Sequence, residues 1–175
     1  SNAHEIVAEE CKSIREGVAL LDITGFSRFE VKGENAEAWL DKIFATKLPK
    51  PGRARLAVML SPTGKLKGDL TLLNWGDGTF WIMGSYYLRA WHMRWFNDQI
   101  QDGVSVRDLG DDICGFALIG PNSHFILQKV AEGDVSKMRF MDCKRLDIGL
   151  IQSHVARMSV NGEMGFELNC KMGDH

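Results

Sequence analysis

Two alternating apolar runs, Ala54 to Leu60 and Leu66 to Asn74, are separated only by Ser61-Pro62-Thr63-Gly64-Lys65. A loop that short, with proline early and glycine late, folds the chain back on itself and makes the two runs pair antiparallel. A parallel pairing would need a crossover of a dozen or more residues, and there is none here. The next turn, Asn74-Trp75-Gly76-Asp77-Gly78, feeds a further strand from Thr79 to Met83, which extends the hairpin into a meander. After it, Leu88, Trp91, Trp95, Phe96 and Ile100 recur at helical spacing, and Gly103 stops the helix. Trp91 and Trp95 are expected in the core.

The flanking segments follow the same logic. Ile6 to Ile14 predicts a short entry helix, and Val18 to Asp22 a strand or turn. Phe26 to Lys32 alternates as a strand. Asn35 offers an N-cap for a helix through about Phe44, with Ala38, Leu40, Ile43 and Phe44 as its apolar face. Pro49-Lys50-Pro51-Gly52 breaks the pattern. Val104 to Leu109 and Ile113 to Ile119 read as strands, and Pro121 opens a helix bearing Phe125, Ile126, Leu127 and Val130. Ile148 to Ser159 and Glu163 to Cys170 close the chain as two strands about the turn Val160-Asn161-Gly162. This order predicts an α+β fold with mixed or antiparallel sheets and packed helices, not a doubly wound parallel sheet.

Composition narrows the function. Among 175 residues, 21 basic and 23 acidic side chains are interspersed to a net charge of −2, which supplies no field for nucleic acid or an anionic membrane. No apolar run approaches the ~20 residues that cross a bilayer. Cys11, Cys114, Cys143 and Cys170 form no C-x-x-C pair, and the five histidines show no H-x-x-x-H spacing, so no metal site is expected. Free thiols without a signal peptide predict a reducing, cytoplasmic setting. Ser1-Asn2-Ala3 reads as a tag remnant, leaving 4–175 as the folding part. Phe166, Leu168 and Cys170 alternate like an inward face just before the last residues, so the domain is expected to be incomplete at its C-terminal end.

Asp69 is the first candidate for chemistry. Period two places Gly68, Leu70, Leu72 and Leu66 on one face of its strand and Lys67, Asp69 and Thr71 on the other. The plain reading is a solvated aspartate on a polar face; the functional reading gains from Gly68 beside it, since glycine in a strand often marks close approach of a ligand. Glu163 and Glu167 form the second candidate. Glu163 is bracketed by Gly162 and Gly165, and Glu167 alternates with Phe166 and Leu168. Either it points outward from an ordinary hairpin, or it is a strand-held carboxylate able to accept two parallel hydrogen bonds. Ser85, Ser123 and Ser159 lack a G-x-S-x-G setting, and no phosphate-binding glycine loop is present.

Taken in order, Val18-Ala19-Leu20-Leu21-Asp22-Ile23-Thr24, Phe29-Glu30-Val31-Lys32-Gly33, Met59-Leu60-Ser61-Pro62-Thr63-Gly64-Lys65, Gly68-Asp69-Leu70-Thr71, Gly120-Pro121 and Gly162-Glu163-Met164-Gly165-Phe166-Glu167-Leu168 resemble the folate-binding aminomethyltransferase family, the glycine-cleavage T-protein group. Within it the chain is most similar to the C-terminal region of dimethylglycine and sarcosine dehydrogenases, from about residue 5 to the end. The resemblance implies three lobes around a channel for tetrahydrofolate, of which this chain would supply most of the first two and none of the last, a small β-barrel. It implies FAD in an upstream flavin domain, which would oxidise a methylated amine to an iminium for one-carbon transfer to folate. Asp69 matches the family's catalytic aspartate, and Glu167 the residue gripping the amino-pyrimidine edge of the pterin. Glu163 shares that motif, and Ser85 falls where family members commonly carry an asparagine. Val160 stands where T-proteins usually have tyrosine, and Gly68 where they often have a second acidic residue.

The resemblance therefore implies a tetrahydrofolate-dependent domain capturing an iminium as 5,10-methylene-tetrahydrofolate. The alternatives are a stand-alone aminomethyl or methyl transferase and a non-catalytic folate-binding regulatory module. The last of these has no need of a carboxylate at Asp69.

Overall fold

The computed structural model describes residues 2–174. Ser1, part of the expected tag remnant, and His175 lie outside the described residues. The chain runs α1 (Ala3–Glu16), β1 (Ala19–Asp22), β2 (Ser27–Lys32), α2 (Ala36–Ile43), β3 (Arg53–Leu60), β4 (Leu66–Asn74), β5 (Phe80–Gly84), α3 (Arg89–Asp98), β6 (Ser105–Asp108), β7 (Ile113–Ile119), α4 (Ser123–Val130), β8 (Cys143–Ile148), β9 (Ile151–Ala156) and β10 (Gly165–Lys171). Two compact units result. One comprises the residues up to Thr24 and those from Ile113 onward; the other is Gly25–Asp112. Each holds one five-stranded sheet, and every pairing is antiparallel, the α+β architecture that the hairpins require.

In the Gly25–Asp112 unit the sheet order is β3-β4-β5-β2-β6. The β3–β4 hairpin forms as expected, and an irregularity between Met59 and Leu60 shifts its register so that Val58 lies opposite Asp69 and Arg53 opposite Asn74. Its loop closes through Ser61, whose N–H donates to the Lys65 carbonyl at 2.8 Å and whose hydroxyl accepts from the Lys65 N–H at 3.0 Å. Phe29, Val31, Leu70, Leu72, Phe80 and Ile82 form one buried cluster with Trp39 and Leu40 of α2 and Phe96 of α3. Each such side chain contributes about 1.5–3 kcal/mol by leaving water.

The two helices of this unit depart from the expected faces. On α2, Ala38 is exposed and Trp39 is buried, its Nε1–H donating to the Gln99 carbonyl at 2.7 Å. Asn35 precedes the helix without a side-chain cap, because its amide donates to the Asp102 carbonyl at 2.9 Å. On α3, His92 and Phe96 are the buried positions, whereas Trp91 is 37% exposed. That helix ends at Asp98, so Ile100 falls beyond it and Gly103 is not its stop. An indole is wide enough to flank the core stripe without entering it, which is why spacing alone turned the face by one position.

In the other unit the sheet order is β1-β7-β10-β9-β8. Leu118, Val155, Phe166 and Leu146 of the sheet pack with Leu127 of α4 and with Val135 and Met138. The expected strand from Ile148 to Ser159 is corrected here. A turn at Gly149, with φ 59°, splits that stretch into the end of β8 and the strand β9. The charges at Lys144, Arg145 and Asp147 hid β8 from a reading of apolar alternation. α4 starts at Ser123 rather than Pro121, and it buries Leu127 while Phe125, Ile126 and Val130 stay exposed.

Candidate functional site

Asp69 sits on β4, opposite Val58, and its side chain is exposed. Its neighbours Gly68 and Leu70 point to the buried side, as period two requires. Gly68 lies against α3 so closely that a Cβ there would stand 3.0 Å from His92 Nε2. The missing side chain thus lets α3 press directly on the strand, which fixes the backbone that presents Asp69. Lys67, expected on the same polar face, lays its ammonium over the rings of Trp91 and Trp95, at 4.7 and 4.3 Å. A cation held over two indoles is engaged with the helix and leaves the aspartate as the acidic group of this stretch.

His92 was not singled out from sequence. It is 1% exposed, and neither ring nitrogen has a hydrogen-bond partner. Its ring stacks on Phe96 at 6.2 Å and meets Trp91 edge-on at 5.3 Å. Burial lowers its pKa from the usual histidine range, opposed by the nearby Lys67 backbone. Ser85 stands exposed at the start of the 3-10 turn Tyr86–Leu88, and its carbonyl accepts from the Ser27 hydroxyl at 3.3 Å.

In the other unit, Glu167 lies on β10, the central strand of its sheet, and is 4% exposed. The outward-pointing alternative therefore does not hold. Its register neighbours are Ala117 on β7 and Ala156 on β9. Two methyl groups flanking a carboxylate leave lateral room on that face of the sheet. Asn169, the next residue on the same face, is fully buried, so the strand carries a polar row inside the protein. Buried polar groups are costly unless they are partnered, and such a row marks a place where hydrogen bonding matters more than packing.

Glu163 lies in the loop between β9 and β10. The turn is held by the Ser159 hydroxyl, which donates to the Glu163 carbonyl, and by the Glu163 N–H, which donates to Asn161 Oδ1 at 3.1 Å. Glu163 lines a hollow of about 370 Å³ together with Arg157, Ser159, Met164 and Phe140. Arg157, half-buried, was not anticipated. A charged residue just after a strand is unremarkable in sequence, and only the loop's return brings it beside Glu163. Acid and base in one concavity suit a ligand that both donates and accepts hydrogen bonds. Among the described residues no cluster of side chains fit to hold a metal ion occurs, and no helix is long and apolar enough to cross a membrane.

The family description "GCVT N-terminal domain" matches residues 1–175. Human mitochondrial dimethylglycine dehydrogenase is 29% identical over 173 residues, which are 96% of this chain and 20% of that protein. The aminomethyltransferase of Anoxybacillus flavithermus is 28% identical over 171 residues, 96% of this chain and 47% of its own length. Among solved structures, the glycine cleavage system aminomethyltransferase T of Bartonella henselae superposes with a TM-score of 0.85 at 21% identity, covering 96% of this chain and 46% of its own. A chain of the heterotetrameric sarcosine oxidase of Corynebacterium sp. U-96 superposes with a TM-score of 0.69 at 19% identity, covering 97% of this chain and 85% of its own. The chain thus spans about a fifth of the dehydrogenase relatives and about half of the aminomethyltransferases. With the family match running from the first residue to the last, the chain belongs to the GCVT N-terminal domain family.

Proposed function

We propose that this chain is the tetrahydrofolate-dependent one-carbon transfer domain of an FAD-dependent dimethylglycine or sarcosine dehydrogenase-like enzyme. The observation that carries the reading is Glu167, a carboxylate buried on a central strand between two alanines. The residues fit the group. An amino-pyrimidine edge presents two adjacent N–H donors, and a strand-held carboxylate is their geometric complement. Glu163 and Arg157 in the neighbouring hollow offer an acceptor and a donor for further polar groups.

When bound, tetrahydrofolate supplies the nitrogens that accept the one-carbon unit as 5,10-methylene-tetrahydrofolate. Glu167 orients the ring by holding its donors. Asp69 offers a negative charge to a cationic iminium and a base for the proton released as the new carbon–nitrogen bond forms. Because Asp69 is exposed, its charge is screened until substrate covers it, and its effect grows as water leaves. Free thiols at Cys11 and Cys143 fit the reducing, cytoplasmic setting of this reading. The aminomethyltransferase relatives support a second reading, a stand-alone transferase using the same residues.

The test uses the enzyme containing this chain. Asp69→Asn should abolish methylene-tetrahydrofolate formation from a methylated glycine while calorimetric affinity for tetrahydrofolate stays within about twofold. Glu167→Ala should weaken that affinity by about 2 kcal/mol or more, some thirtyfold, since it leaves pterin donors unpaired. Unchanged affinity in the second variant would remove the pterin assignment, and unchanged transfer in the first would remove the catalytic one.

A further inference from the structure

Cys114 on β7 and Cys170 on β10 are register partners on adjacent antiparallel strands. Their Sγ atoms lie 3.2 Å apart, closer than two sulfurs sit in ordinary van der Waals contact. Both are free thiols; Cys114 is buried and Cys170 half-buried. Directly opposed residues on antiparallel strands have Cα separations of ~4.5–5.5 Å, inside the ~4.4–6.8 Å range that a disulfide spans. A bond of ~2.05 Å then needs the sulfurs to close by only about 1.2 Å, within the reach of a side-chain rotation.

We propose that Cys114 and Cys170 form a redox-convertible dithiol that closes to a disulfide by exchange with a low-molecular-weight disulfide such as oxidised glutathione. Cys170, the more accessible of the two, loses its proton to solvent and attacks one sulfur of the reagent. The reagent's sulfur–sulfur bond breaks, and one glutathione leaves as a thiolate. Cys114 loses its proton and attacks the Cys170 sulfur of the mixed disulfide, expelling the second glutathione thiolate. The two leaving thiolates take up the two protons. Two protein thiols have been oxidised by two electrons, and one glutathione disulfide has been reduced to two thiols.

The setting keeps the pair reduced until such a reagent is abundant. Burial first, and the contact with Cys114 second, push the Cys170 thiol up to about 12, so its thiolate is scarce near neutrality and uncoupled oxidation is slow. The bond would fasten β10, the strand bearing Glu167, to β7 one residue after the chain re-enters this unit at Ile113. Closure would therefore rigidify a strand of the candidate site without adding a group to it.

The molecule holds its own controls. Cys11 is exposed on α1, and Cys143 is buried on β8 opposite Ala156. The protein is incubated with oxidised glutathione at about pH 9, where thiolates are more abundant, then quenched with a maleimide and mapped by peptide mass spectrometry. The expected result is a Cys114–Cys170 cross-linked peptide lacking glutathione, with glutathione on Cys11 and Cys143 unmodified. The oxidised protein should melt about 5–10 °C above the reduced one, because the bond closes a long loop. Cys114→Ser should instead retain glutathione on Cys170 and show no such rise. Glutathione left on Cys170 of the unmutated protein would overturn the proposal. So would maleimide on both Cys114 and Cys170 after Cys11 has reacted to completion.

Discussion

Lowering the pH from 7.5 to 5.5 should destabilise this protein through His92, by an amount the structure bounds. The ring is sealed between Gly68, Trp91 and Phe96, and no hydrogen bond reaches either nitrogen. Burial therefore depresses its pKa in the fold, with the Lys67 backbone offsetting part of the effect. In the unfolded chain the same ring titrates near ~6.5. Between the two values the unfolded state binds a proton that the folded state refuses, so stability rises with pH across that window and is lost as the pH falls below ~6.5. If the folded ring stays neutral at pH 5.5, the unfolded state gains RT ln 11, about 1.4 kcal/mol, whereas at pH 7.5 the same expression gives about 0.1 kcal/mol. With a urea slope of about 2 kcal/mol per molar, the midpoint should fall by about 0.7 M. His92→Phe keeps an aromatic ring against Phe96 and removes the titration. Urea melts of both proteins, followed by tryptophan fluorescence at each pH, isolate the group, because all other ionisations are shared and subtract. Parallel pH profiles for the two proteins would refute the reasoning.

Two further perturbations test the frame around the candidate residues. Gly33 adopts φ 129°, and a Cβ there would stand 2.0 Å from the Gly103 carbonyl oxygen, a backbone atom that has no way to swing aside. Gly33→Ala should cost about 3 kcal/mol or more in a denaturant melt, and a midpoint like that of the unmutated protein would contradict this packing. Arg89 joins α3 to β6 through Asp108 at 2.6 Å and reaches Asp111 at 3.1 Å, and these carboxylates raise its pKa further above the ordinary arginine value. Because Arg89 and Asp108 are 23% and 26% exposed while Asp111 is 92% exposed, solvent screens only part of the cluster. Arg89→Ala should cost about 1–2 kcal/mol, and the loss should shrink in high salt. A larger, salt-independent loss would show that the side chain acts by packing instead.

The sequence made the β3–β4 hairpin legible because its loop chemistry and its alternation agreed. The pairing of Val58 with Asp69 was not legible, because an irregularity between Met59 and Leu60 moves the register by one residue from the one that the Leu60–Leu66 closure alone would set. Reading α3 was harder. Tryptophan and histidine at adjacent positions compete for one stripe, and the smaller His92 ring fits beneath Gly68 while Trp91 stays partly in water. β8 escaped for a different reason: it is an edge strand, and edge strands tolerate the charges that disguised it. Among the candidate residues of the two units, Asp69 and Glu167 stood out by pattern, but Arg157 and His92 did not. Their placement depends on a loop return and on a helix pressing against a strand, and neither leaves a local signature.

Glu167 shows why alternation alone was ambiguous. On a sheet with one solvated face, a polar residue between Phe166 and Leu168 belongs to water, and an outward glutamate is the cheaper solution. On β10 both faces are covered: Phe166 and Glu167 are each buried, and Asn169 with them. The same sequence pattern then means the opposite, because a carboxylate kept inside a sheet between Ala117 and Ala156 gives up hydration that an apolar residue would not need. That hydration has to be replaced by partners inside the protein, and a carboxylate so placed also has the geometry to accept from adjacent N–H donors, as the proposed function requires. The burial of β10 on its polar face is thus what separates Glu167 from an outward hairpin glutamate.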